Sequence, residues 1–422
     1  MKKVIALLGA LDTKGVEYQF VKECIQTNGH RALVIDFGIL EPPYFTPDVS
    51  REEVARAGGA DISLLAKKQD RSDAVAAMSR GAAVLLPKFH AEGQFDGVLA
   101  LGGTGGTSIA CAAMRNLPLG VPKVMVSTVA GGDVSGYVGL KDIVMIPSIV
   151  DVAGLNRISR EVFARAAAIV CAMVETRAPE GQDKPLIVAS MFGNTTPAVN
   201  HAKSILDKKG YETLVFHCTG SGGQTMESLI QAGMITGVLD ITTTEWADEL
   251  VGGVLTAGPT RLEAAARAGV PAIVVPGCLD MVNFWAPETI PAKFKGRKFY
   301  QHNPNVTLMR TDVEENERLG CILAEKVNLS TGPVTVLLPL RGISMIDTAG
   351  GAFWWPEADE ALFSALKSRL RSDIPVVEMD CVINDPTFAE ACVQHLLQNI
   401  ARMQFDNNAM LRPTPVPAPI PA

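Results

Sequence analysis

The sequence predicts an α/β chain of two Rossmann-like domains, with mainly parallel sheets flanked by helices and a cleft between the domains. Three observations lead there. Short apolar runs of strand length alternate with helix-length segments along most of the chain, which is the pattern of parallel sheets crossed by helices. The alternation breaks at Arg177-Ala-Pro-Glu-Gly-Gln-Asp-Lys184, a polar stretch with Pro and Gly and no periodicity, as expected of a domain boundary. It then restarts in the same order, strand–loop–helix–strand, and in each half the second strand begins 28 residues after the first. The expected divisions are an N-terminal domain at 1–180, a C-terminal domain at 185–405 and a flexible Pro-rich tail at 406–422.

Composition fits this plan. A chain of 422 residues with 47% hydrophobic and 20% charged residues has ample core for two globular domains. Its net charge is -7, with acids and bases interspersed, so nucleic acid is not an expected partner. No apolar run reaches the roughly 18 residues a membrane span needs. The first run breaks at Asp12-Thr-Lys14 with no small-residue cleavage site after it, so it reads as a buried strand instead of a signal peptide. Eight scattered cysteines without a CxxC pair, and six histidines without a zinc spacing, imply reduced thiols, a cytoplasmic setting and no protein-held metal.

In chain order, Val4–Leu8 is the first strand and residues 15–28 the first helix, with Val16, Phe20 and Cys24 on one face. Ala32–Ile35 is the second strand, ending in Asp36. An acid there holds a ribose hydroxyl in many doubly wound folds, or else caps a loop. The stretch Gly9–Gly15 is neither GxGxxG nor a P-loop, which argues against NAD. Residues 40–94 form a helical insertion, a lid or an interface. It opens at Pro42-Pro43 and carries a capping box at Ser50-Arg-Glu-Glu53. A longer helix runs from Asp70 to Leu86, with a break at Gly81 and an end or kink at Pro87.

The densest signal follows the apolar strand Val98–Leu101. Gly102-Gly-Thr-Gly-Gly-Thr107 leads into an alanine-rich helix, Ser108–Met114. Glycines let backbone N–H groups approach a phosphate closely, and the helix N-terminus adds its dipole. Gly102, Gly103, Thr104, Gly105, Gly106 and Thr107 are therefore candidate phosphate ligands. A tight turn needing only its glycines is the competing explanation. After the next strand, Lys123–Ser127, a second polar loop holds Ala130, Gly131, Gly132, Asp133 and Ser135. Loops at neighbouring strand ends converge on ligands in open α/β sheets. Residues 142–149 make a further strand. A long helix at 156–176 is expected to bury Ile158, Val162, Ile169, Val170 and Met173.

The second half offers further polar strand ends. Asn194 and Thr195 follow its first strand, and capping explains them as well as binding does. Thr219, Gly220, Ser221, Gly222 and Gly223 make a second candidate anion cradle, and Glu245 follows the third strand. These seven, with Glu245, are the candidate substrate-binding residues. Asp133, Glu245 and Asp280 are the candidate catalytic acids, although acids near helix starts also serve as ordinary dipole partners.

The segments Leu11-Asp-Thr-Lys-Gly15, Gly102–Thr107, Ser127–Asp133, Phe216–Gly223, Asp240–Glu245 and Pro276–Met281 occur in one order. In that order the chain resembles the ATP-binding, N-terminal inhibitory domain of the tomato mosaic virus resistance protein and its bacterial relatives. The resemblance implies two Rossmann-like domains, ATP binding and a homodimer. With it, the expected function is ATP binding, with Mg²⁺ neutralising phosphate charge and phosphoryl transfer to a small acid or sugar-like substrate. The alternatives are a non-catalytic nucleotide-dependent regulator or inhibitor acting through protein contacts, and an enzyme on a phosphorylated or carboxylate substrate that needs no ATP.

Overall fold

The computed structural model describes residues 2–410 apart from 69, 178, 180 and 182. Internal packing divides the chain into two compact units, Met1–Glu180 and Gly181–Ala422. Each contains a parallel sheet covered by helices on both faces, so the α/β prediction holds.

The N-terminal unit begins with β1 (Val4–Gly9), α1 (Leu11–Thr27) and β2 (Arg31–Asp36). Three helices follow, α2 (Arg51–Ala57), α3 (Ile62–Lys68) and α4 (Arg71–Ala91). The pattern then resumes with β3 (Gly97–Gly102), α5 (Thr104–Met114) and β4 (Lys123–Ser127). A short α6 (Ser135–Val138), β5 (Ile143–Pro147) and α7 (Arg157–Glu175) complete it. The five strands are parallel in the order β2-β1-β3-β4-β5. The chain moves outward from β1 in one direction and from β3 in the other, which makes the β1/β3 boundary a topological switch point. Tyr18 holds that boundary: its hydroxyl lies 2.8 Å from the carbonyls of Leu8 and Leu101 and accepts the Leu101 N–H. A Cβ on Gly9 would fall 1.9 Å from the Tyr18 ring, so only glycine leaves the phenol room.

The helical insertion differs from expectation in two places. Gly81 does not interrupt α4; it lets α4 lie against α2, since a Cβ there would sit 1.9 Å from the Val54 carbonyl. Pro87 lies inside α4 without ending it. The missing N–H frees the carbonyl of Ala83, and the Asn116 amide donates to that oxygen at 3.2 Å. In α7 the buried stripe includes Val162, Phe163, Ala166, Ala167 and Val170, while Ile158 and Ile169 face water. The real apolar stripe includes Phe163 and small alanines that a search for large aliphatics passes over.

The C-terminal unit runs β6 (Leu186–Met191), α8 (Thr196–Lys208), β7 (Glu212–His217), α9 (Ser221–Gln231) and β8 (Gly237–Thr242). Then come α10 (Glu245–Val251), α11 (Glu263–Ala268) and β9 (Ala272–Gly277). An antiparallel excursion, β10 (Met281–Phe284), β11 (Phe299–Asn303) and β12 (Val306–Arg310), forms its own three-stranded sheet. The unit closes with α12 (Val313–Val327), β13 (Val334–Pro339), α13 (Pro356–Arg369), β14 (Val376–Met379) and α14 (Pro386–Met410). Its main sheet is parallel, in the order β14-β13-β9-β8-β6-β7. Because α14 continues to Met410, residues 406–410 of the expected tail are helical, and 411–422 lie outside the described residues. All eight cysteines are free thiols. No helix among the described residues is long and apolar enough to cross a membrane.

Candidate functional site

A cavity of about 750 Å³ opens at the switch point of the N-terminal unit. Its floor is the glycine-rich turn from β3 into α5, with Gly103, Thr104, Gly105 and Gly106 in the lining. Gly103 is the N-cap of α5 and supplies no side-chain cap. The first-turn N–H groups of an 11-residue helix therefore keep their donor capacity and positive dipole end for a ligand. The glycines keep that floor low: a Cβ at Gly103 would meet only Thr128 Oγ1, at 3.7 Å, within 4 Å.

The other walls come from neighbouring strand ends. Asp12, Thr13 and Lys14 follow β1, Thr128 follows β4 and Asp151 follows β5. On the opposite side, Phe37, Ile39 and Leu40 follow β2, and Leu65, Ala74 and Val75 belong to the helical insertion. Apolar groups thus gather toward β2 and the insertion, while polar groups come from the ends of β1, β4 and β5 and from Asp70 at the start of α4. Each lining carboxylate already holds backbone. Asp12 accepts from Ile39 N–H at 2.9 Å and Leu40 N–H at 2.7 Å. Asp70 caps α4 through Ser72 and Asp73 N–H, and Asp151 accepts from Val152 N–H. The Lys14 ammonium donates to the Val152 carbonyl. One lysine against three aspartates gives this lining an acidic balance.

The remaining N-terminal candidates lie beside this cavity or below it. Asp36 is fully buried, and its Oδ1 accepts from Leu11 N–H at 3.0 Å and Gly38 N–H at 2.8 Å. It fixes the two loops that flank the cavity and does not line it, which corrects the ribose assignment. Burial raises its carboxyl pKa, and the two amides oppose that rise. Gly102 and Thr107 lie within the β3–α5 junction, where the Thr107 hydroxyl is bonded to Ser127 Oγ at 2.7 Å. Of Ala130, Gly131, Gly132, Asp133 and Ser135, Gly131 lines a second cavity, of about 370 Å³, that shares Thr128 and Asp151. Asp133 is exposed and caps the start of α6 by accepting the Ser135 N–H at 2.9 Å.

The second predicted cradle is already filled by the chain itself. Glu245 is buried, and its Oε1 accepts from Gly220 N–H at 2.8 Å and Gly223 N–H at 3.1 Å. Its carboxylate thus occupies the place reserved for a bound anion, and a Cβ on Gly223 would fall 2.1 Å from Oε2. Oε2 in turn accepts from Arg261 Nε at 2.7 Å. The Arg261 guanidinium also grips Asp240 in a bidentate pair at 2.6 and 2.7 Å and reaches Glu227 at 3.2 Å. Burial raises the pKa values of Glu227 and Glu245, with Arg261 pulling them back down. Thr219, Ser221 and Gly222 belong to the same closed turn, where a Cβ on Gly222 would strike the His217 carbonyl at 1.8 Å.

Asn194 and Thr195 are likewise packed in, Thr195 Oγ1 lying 2.7 Å from Thr242 Oγ1 and Asn194 Nδ2 3.4 Å from Met281 Sδ. Asp280 is fully buried and accepts from the Ser344 hydroxyl at 2.8 Å, with its pKa raised by burial and then by Asp347. Glu245 and Asp280 are therefore structural carboxylates, withdrawn from any substrate. The cavity residues that sequence reasoning left unassigned are Asp12, Thr13, Lys14, Thr128 and Asp151. Their signals were position, just beyond the ends of β1, β4 and β5, and, for Asp12, Thr13, Lys14 and Thr128, a place in the resembling segments Leu11–Gly15 and Ser127–Asp133.

Two sequence-family patterns cover nearly the whole chain. The pattern described as "Uncharacterised protein family (UPF0261) N-terminal domain" matches residues 3–179, and the corresponding C-terminal domain matches 184–400. The chain belongs to the UPF0261 family. A UPF0261 protein of Clostridium tetani is 49% identical over 399 residues, covering 94% of this chain and 99% of the relative. The tomato "ToMV resistance protein Tm-1(GCR237)" is 43% identical over 336 residues, 78% of this chain and 45% of the plant protein. Among solved structures, UDP-N-acetylglucosamine 2-epimerase from Rickettsia bellii covers 97% of this chain and is itself 99% covered, at 11% identity and a TM-score of 0.23. That last likeness is too distant to bear on the site.

Proposed function

We propose that the N-terminal unit binds ATP, with Mg²⁺ accompanying it, in the cavity at the β1/β3 switch point. The observation that carries this is the uncapped glycine-rich start of α5 on the floor of a cavity of about 750 Å³. Backbone amides of Gly103–Gly106 would hold phosphate oxygens, Thr104 and Thr128 would add hydroxyl donors, and Lys14 would supply the cationic side chain. The base and sugar would lie toward Phe37, Ile39 and Leu40. Mg²⁺ would offset the acidic balance of the lining when bound.

Between catalysis and regulation, the deciding feature is a proton acceptor beside the phosphates. Phosphoryl transfer to a hydroxyl calls for a group able to take its proton. Among the lining carboxylates, Asp70 and Asp151 each hold backbone N–H through Oδ1, while Asp12 holds Ile39 and Leu40 N–H through Oδ2 and keeps a buried Oδ1 without a partner, an acceptor such a transfer could use. Competition by adenosine, ATP and inorganic triphosphate, combined with phosphate-release kinetics, tests both points. Triphosphate competing better than adenosine, with no steady phosphate release, supports the proposal. Adenosine binding as tightly as ATP would move the ligand's weight off the glycine turn, and steady release would support the enzyme reading.

A further inference from the structure

The antiparallel β10–β12–β11 sheet has an outer strand that the C-terminal unit leaves unused. Among the described residues β11 pairs only with β12, and all five of its residues are exposed. The Lys298 carbonyl accepts the Arg310 N–H at 2.9 Å, which marks that pair as hydrogen-bonded. Antiparallel alternation then turns the main-chain N–H and C=O of Phe299 and Gln301 away from β12, toward the open side. Beside this edge the Tyr300 ring packs edge-on against Phe353 at 6.3 Å, next to the half-exposed Trp354.

Charge sharpens the picture. No Asp or Glu occurs between Thr289 and Thr311, in a chain whose net charge is -7. Lys293, Lys295 and Lys298 are exposed, and none of them has a carboxylate partner among the described residues. Arg297, by contrast, is tied to Glu315 and Asp312. Lysines within an edge strand can guard it against pairing, but Phe299–Asn303 itself carries no Lys, Arg, Asp or Glu. The bases flank an uncharged, pairing-competent edge.

We propose that β11 receives an extended acidic segment of a partner protein as a fourth strand, with Lys293, Lys295 and Lys298 facing its carboxylates. Main-chain bonds to Phe299 and Gln301 would supply affinity, and the lysines would select acidic sequence.

The test is fluorescence anisotropy of the full chain with a labelled ten-residue peptide alternating valine and glutamate. A valine–lysine peptide serves as the control. Gln301→Pro removes one outward N–H and leaves the β12 ladder bonds in place. Lys295→Glu/Lys298→Glu reverses the flanking charge on exposed side chains. Each variant is expected to weaken the acidic peptide by at least about tenfold with an unchanged circular dichroism spectrum. Several results overturn the proposal: no binding by the parent chain at about 1 mM peptide, equal affinity in both variants, or equal binding of the lysine peptide. Two others do so by naming a different occupant. A parent dimer that Gln301→Pro dissociates in sedimentation would assign the strand to a second copy, and displacement of the peptide by single-stranded DNA would assign it to nucleic acid.

Discussion

Gly106→Ala adds one methyl group to the floor of the proposed nucleotide cavity, and its effects on folding and on binding separate cleanly. The new Cβ would lie 3.7 Å from the Leu101 carbonyl and 4.0 Å from Phe37 Cζ, both ordinary contacts. Replacing glycine by alanine inside a helix gains up to about 1 kcal/mol of propensity, so the fold is expected to hold or to tighten slightly. The methyl faces the Phe37 wall beside the amides that would hold phosphate. Displacing a phosphate from one or two charge-assisted N–H bonds costs about 1.5–3 kcal/mol each, or about a tenfold to hundredfold loss of ATP affinity for the first. Gly102→Ala is the contrasting control. Its Cβ would sit 3.1 Å from Gly106 Cα, and that backbone contact strains the β3–α5 junction. Hydrogen exchange of residues 98–114 reads local stability, and titration with ATP reads binding. Unchanged ATP affinity in Gly106→Ala, with unchanged exchange, would refute the placement of phosphate at this turn.

Two further perturbations address the C-terminal unit. All four tryptophans, Trp246, Trp285, Trp354 and Trp355, lie there, so their fluorescence in urea reports this unit alone. Arg261→Met leaves Asp240, Glu227 and Glu245 without the cation they surround. A loss of about 3–5 kcal/mol is expected at neutral pH, with partial recovery in acid, where carboxylates whose pKa values burial has raised take up protons. A loss below about 1 kcal/mol would fit only a pair that contributes nothing. Burial also pushes the Asp248 pKa from 3.8 up to about 8, against two hydrogen bonds from Asn283 that lower it. The folded chain then keeps a proton that the unfolded chain releases, so this contribution to stability falls as pH rises from 3.8 toward 8. Asp248→Asn is expected to flatten that slope in urea midpoints measured against pH, and an unaltered slope would contradict it.

What the sequence could reveal depended on whether the signal was local. Strand–loop–helix alternation depends on periodicity along the chain, so both parallel sheets were legible. Gly102–Thr107 was legible as a glycine-rich strand-to-helix turn because its glycines and threonines are contiguous. Lys14 and Asp151 join the cavity only because the order β2-β1-β3-β4-β5 brings distant strand ends together, and no local pattern carries that order. Glu245 misled for the same reason. A carboxylate following a strand resembles a ligand contact until Arg261, 16 residues on, and the Gly220 and Gly223 amides are found already bound to it. Pro87 was read as an end or kink of the helix because its compensation comes from Asn116, outside the helix. The β10–β12–β11 sheet was missed in part because β11 has no buried face to imprint an alternating pattern.

Isothermal titration of the full chain with ATP, in Mg²⁺ and again in EDTA, tests the proposed nucleotide site most directly. A saturable isotherm at one site per chain is expected in Mg²⁺, weakened in EDTA because the lining holds three aspartates and a single lysine. No heat of binding in either buffer, with the chain shown to be folded, would contradict ATP binding at the β1/β3 switch point.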